Sequence, residues 1–118
     1  MSDTDFQSYV GSYKSLIING LGNESALKAR SFETLVIAER NQSLGVNSIT
    51  QLSRMLSNTK LILNQALHHL ALLDGFLPTN SHLLGWQNEI QEAHTSSELG
   101  LICQRISHVA LPVPQALA

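Results

Sequence analysis

At 118 residues the chain is long enough for one domain with its own core. Apolar residues make up 43% of it and charged residues only 14%, against about 25% in typical soluble domains, so Ser, Asn and Gln must solvate much of the surface. The net charge of -2, with no stretch concentrating Lys or Arg, excludes the phosphate-neutralising footprint of a nucleic-acid binder.

No run approaches the roughly 18 apolar residues of a membrane-spanning helix, so no membrane association is expected. The opening Met1-Ser2-Asp3-Thr4-Asp5-Phe6 is acidic and lacks the basic flank and apolar run of a signal peptide. A single Cys103 cannot form an internal disulfide, which suits a reducing compartment. Together these features predict a cytoplasmic protein, with Cys103 acting as a small buried hydrophobe.

The first helix is expected to start at Thr4, where Thr4-x-x-Gln7 has the form of a capping box. Phe6, Tyr9, Val10, Tyr13, Leu16 and Ile17 then share one face, and Gly20 with Gly22 ends the helix. A second helix is predicted from Glu24 to Leu44 through Leu27, Phe32, Leu35, Val36 and Ala38, closing at Gly45. Lys28, Arg30, Glu33, Glu39 and Arg40 belong to its solvated side.

Ile49, Leu52, Leu56, Thr59, Leu63, Ala66, Leu70 and Leu73 recur at alternating intervals of three and four, the seam of a helix packed lengthwise on others. This long central helix spans about 48–74, opened by the capping box Ser48-x-x-Gln51 and closed by Gly75, a fold-back of Phe76 and Pro78. A polar dip at Ser57-Asn58-Thr59 offers a competing break into two helices. The spacing stays in phase across it, which favours continuity.

Leu83, Trp86, Ile90 and Ala93 describe a short fourth helix, and Thr95-Ser96-Ser97-Glu98 caps a fifth through Leu99, Ile102, Cys103, Ile106 and Val109. No alternating β pattern appears. The expected fold is all-α: a compact four- or five-helix bundle over residues 1–111, followed by an extended Pro-containing tail over 112–118.

Catalytic and metal-binding chemistry finds little support. His68 and His69 are adjacent and diverge by about 100° on a helix, and the Glu-x-x-His of di-iron bundles is absent. His94 and Glu98 straddle a helix boundary and suit a capping or surface pair. Cys103 and His108, five apart on one helix, cannot face each other, and Gly20-Leu21-Gly22 lacks the rest of a phosphate-binding loop. No enzymatic activity, metal or cofactor is expected.

Two readings of the third helix remain. Ile49-x-x-Leu52-Ser53-x-x-Leu56, Leu63-x-x-x-Leu67-x-x-Leu70 and Gly75-Phe76-Leu77 together resemble the core pattern of winged-helix repressors. That resemblance implies a helix-turn-helix over residues 48–77, with Asn58, Thr59, Lys60, Asn64 and Gln65 at the start of a recognition helix. Only Arg54 and Lys60 are basic there, and no basic two-stranded wing follows, so this DNA-binding regulator is the alternative reading.

The first reading comes from heptad positions. With Ile49 at a, Leu61 and His68 fall at f, Leu72 at c, Leu67 at e, and Met55, Ile62 and His69 at g. A helix within one bundle keeps c and f polar, so Leu61 and Leu72 are either enclosed by neighbouring helices or presented to a partner. Aromatic and Met side chains anchor interfaces, adding Tyr9, Tyr13, Met55 and Trp86 to Leu61, Leu67 and Leu72 as candidate dimer or partner contacts. In size and helical make-up the chain is similar to bacterial antiactivators that occlude the dimer surface of a transcription factor. The expectation is a homodimeric adaptor or antiactivator that buries an apolar helix face against a regulator.

Overall fold

The computed structural model describes residues 2–22, 25–43, 49–73, 78 and 80–111. Six helical segments follow in order: α1 (Asp3–Leu21), the single-turn α2 (Ala26–Ala29), α3 (Ser31–Ser43), α4 (Ile49–Leu70), α5 (Asn80–Glu92) and α6 (Ser96–Ala110). Among the described residues there is no strand, and the fold is the all-α bundle that the periodicity predicts.

Helix α1 packs along both α4 and α6. Val10, Tyr13, Leu16 and Ile17 are buried, as one face of a 3.6-residue period requires. Its cap differs from the expected one: the Ser2 side chain, not Thr4, accepts the Asp5 N–H at 3.1 Å. Gly22 does end the helix, at φ 90°, donating its N–H to Ile18 O at 2.8 Å. Gly20 serves another purpose. A Cβ there would stand 2.5 Å from the Ala66 carbonyl oxygen, so its bare backbone lets α1 and α4 cross closely. Gly100 does the same for α6, where a Cβ would meet the Tyr9 ring at 2.4 Å.

The predicted second helix is broken into α2 and α3 at Arg30. The Ser31 hydroxyl turns back to donate to Lys28 O at 2.8 Å, and Arg30 N–H bonds Leu27 O in a tightened turn. The Tyr13 hydroxyl, 2.7 Å from Ser31 Oγ, holds that turn from α1. After the break Phe32, Leu35, Val36 and Ala38 are buried, but Leu27 leaves the apolar face and is 81% exposed.

Helix α4 runs unbroken through Ser57-Asn58-Thr59, so no turn of a helix-turn-helix forms there. Thr59, a predicted recognition residue, is fully buried. Its hydroxyl donates to Met55 O at 2.7 Å, and its own carbonyl lies 3.2 Å from the Tyr13 hydroxyl. The polar dip is thus a satisfied core position rather than a loop. The regular ladder ends at Leu70, with a tightened turn through Leu72 and Leu73, earlier than the predicted 74. The expected caps at Ser48 and at Gly75-Phe76, the start of the second helix at Glu24, its closure at Gly45 and the 112–118 tail lie outside the described residues.

Helices α5 and α6 form where predicted. Thr95 caps α6 by accepting the Glu98 N–H at 3.2 Å, while Glu98 returns the bond one residue further out, accepting from His94 N–H at 3.2 Å. A second cap comes from another element. The Glu39 carboxylate of α3 accepts the Ser96 N–H at 2.8 Å and the Ser96 hydroxyl, placing negative charge at the helix N-terminus. Glu39 is therefore no simple surface residue. Lys60 acts at the opposite pole of α5, donating to Gln91 O at 2.8 Å.

Candidate interaction surface

Helix α4 contacts α1, α3 and α5, which cover most of its a, d, e and g positions from Thr59 to Leu70, with His69 at g left exposed. Thr59, Ile62, Leu63, Ala66, Leu67 and Leu70 are buried. The c and f positions are left in the open: Arg54, Asn58, Leu61, Gln65, His68 and Leu72 are all exposed. At about 100° per residue Arg54, Asn58, Leu61, Gln65 and His68 form one row along the outer side of the helix, and Leu72 follows on the tightened turn past its end. Leu61 is 57% exposed and Leu72 72%, which decides between the two explanations for their off-seam positions. Neighbouring helices do not enclose them.

Beside this row lies a shallow groove of about 380 Å³ between α2 and α4, lined by Leu27, Lys28, Ser31, Asn58, Leu61, Ile62 and Gln65. Leu27 was not among the expected contacts, because an unbroken helix would have kept it on the apolar face. The signal was Ser31, a residue able to bond back to the preceding turn, but only the Tyr13 hydroxyl across the bundle makes that bend explicable.

The other expected contacts divide. Tyr13 and Leu67 are fully buried and Trp86 nearly so, so these three belong to the core of the chain and not to an open face. Tyr13 stacks on Phe32 with ring centroids 5.5 Å apart. Burial holds its phenol well above the usual range, partly offset by the hydrogen bond to Ser31. Trp86 packs against His82 at 5.7 Å. Tyr9 is half-buried over Gly100, and Met55 is half-buried on α4. The structure leaves Leu61 and Leu72 exposed, about three turns apart, and places Tyr9, Tyr13, Leu67 and Trp86 elsewhere.

Chemically the surface offers exposed leucine side chains for burial. Among the described residues no three His, Cys, Asp or Glu side chains converge as metal ligands. Cys103 is fully buried and its thiol is pushed up by desolvation, away from thiolate chemistry. No described helix is long and apolar enough to cross a membrane. A second cleft, of about 410 Å³, lies between α3, the start of α4 and the α5–α6 turn, lined by Leu35, Glu39, Ile49, Leu52, Leu56 and His94 among others. The Glu39 carboxylate in its wall already caps α6.

The fold and this surface define the class only as a small all-helical bundle with exposed leucines on the outer side of one helix. No family model, curated protein or solved structure matches the chain.

Proposed function

We propose that this chain is a cytoplasmic protein-interaction module, an adaptor or antiactivator, that works by burying the outer row of α4 against an apolar face of another protein. The observation that carries the reading is the exposure of Leu61 on α4 and of Leu72 on the turn that follows it, where α4 buries Thr59, Ile62, Leu63, Ala66, Leu67 and Leu70 on its opposite side. Exposed leucines scattered singly are ordinary, but exposed Leu27 and Leu61 line one groove together, and Leu72 is exposed about three turns further on. The low charged fraction of 14% agrees with it, since interface centres are depleted of charge. A regulator such as a transcription factor, held by its own apolar helix, is the partner class this mechanism suits.

The test is capture from the native host with the immobilised chain, comparing the unmodified protein with a Leu61→Glu, Leu72→Glu double variant of matched helical circular dichroism. A specific protein retained by the first and lost by the second is the expected result. Equal retention by both would refute the reading.

A further inference from the structure

Along the outer row, α4 and its last turn read Leu61, Gln65, His68, Leu72, at intervals of four, three and four residues. Over these four positions the order is the same from either end, apolar, polar, polar, apolar, with no Lys, Arg, Asp or Glu among them; Arg54 and Asn58 precede them on the row. We infer that a second copy of this chain docks on this face, the two α4 helices lying antiparallel about a twofold axis that passes between Ala66 and Leu67. The inference rests on the docking role of the α4 face proposed above, and the second copy competes with the regulator for that face.

A twofold interface needs a self-complementary patch, in which residue i meets j while j meets i. Antiparallel about that axis, Leu61 of one copy meets Leu72 of the other at both ends of the row. In the middle Gln65 of each copy faces His68 of the other, an amide opposite an imidazole, both able to donate and accept. A parallel pairing would instead set each polar group against its own kind and align the two helix dipoles side by side.

Charge favours the same orientation. Lys28 borders Leu61 in the groove beside α4. The antiparallel arrangement brings the C-terminal end of the other α4, with its partial negative charge, to that side, while Leu72 of that copy fills the space between Leu27 and Leu61. The four-residue row is roughly 16 Å long, at 1.5 Å per residue, and about one helix wide. That is narrower than the roughly 800 Å² per partner of a standard interface, even with Leu27 added. The dimer therefore belongs to the weak class.

Introduced cysteines read the register directly, because the native Cys103 is fully buried and does not compete. Gln65→Cys and His68→Cys variants, which leave both leucines in place, are mixed in equal amounts and mildly oxidised. The mixed disulfide is expected to exceed either self-disulfide several-fold. Light scattering of the unmodified chain should show its mass rising toward that of a dimer between roughly 10 µM and 1 mM. Introducing Leu72→Glu, at an exposed position past the regular ladder, should abolish the mixed disulfide without changing helical circular dichroism. Dominant self-disulfides, or a monomer throughout with no cross-link, would overturn the inference. A monomer whose partner capture still depends on Leu61 and Leu72 would remove the second copy while keeping the docking role of α4.

Discussion

Small residues set how closely the helices of this bundle approach. Gly20 faces the backbone of Ala66, and Gly100 faces the Tyr9 ring, so a single methyl at either point has no room. Gly20→Ala should lower unfolding free energy by about 1–3 kcal/mol in urea titration, as overpacking does, with Gly100→Ala milder because a side chain can yield. Gly11 sits mid-helix facing open space, where a methyl would meet nothing within 4 Å, so Gly11→Ala should stabilise by up to about 1 kcal/mol in the same assay. A tyrosine shows the same sensitivity to context. Tyr13 joins α1 to the Ser31 bend and to Thr59, so Tyr13→Phe should cost about 1–2 kcal/mol, leaving the Ser31 hydroxyl without its partner from α1.

Helices α1, α4, α5 and α6 were legible from their period, but the capping that one helix gives another was not. Glu39 carries no sequence signal that separates it from Glu33 or Arg40 on the same solvated side, yet it bonds Ser96 at the start of α6. Glu39→Ala should cost about 1–2 kcal/mol, seen as a lowered urea midpoint, with Glu39→Gln intermediate because its amide oxygen can keep one bond. Helix α4 separates core from surface along a single element. Leu63→Glu or Leu70→Glu should unfold the chain, since both positions are buried, whereas Leu61→Glu should leave a folded helical protein by circular dichroism. The break between α2 and α3 escapes the periodicity for a comparable reason: the Leu27 to Ala38 spacing is helical throughout, and the competing bond from Ser31 gains its weight from α1.

For the molecule as a whole, two buried acids tie stability to alkaline pH. Burial raises the pKa of the Cys103 thiol and of the Tyr13 phenol in the folded state. The unfolded chain releases these protons first, the thiol near pH 8.5 and the phenol near pH 10. Their contribution is thus intact below about pH 8.5 and is lost as pH rises, at up to about 1.4 kcal/mol per pH unit for each group. Urea midpoints measured from pH 7 to 11 should fall accordingly, and Cys103→Val should delay the onset toward pH 10. The same burial predicts that a thiol reagent labels Cys103 only as fast as the chain opens.

The sequence by itself determined the helical class, the positions of α1, α4, α5 and α6 within a few residues, the Thr95 cap and the buried thiol. All of these follow from local periodicity and capping chemistry, which act within a few residues of one another. It also marked Leu61 and Leu72 as out of place on their helix. Only the tertiary structure decided that they are exposed, because that depends on which sides of α4 the helices α1, α3 and α5 occupy. The same long-range packing drew Tyr13, Leu67 and Trp86 into the core and turned Leu27 outward. Period tells which residues share a face; the arrangement of the neighbours decides whether that face meets protein or water.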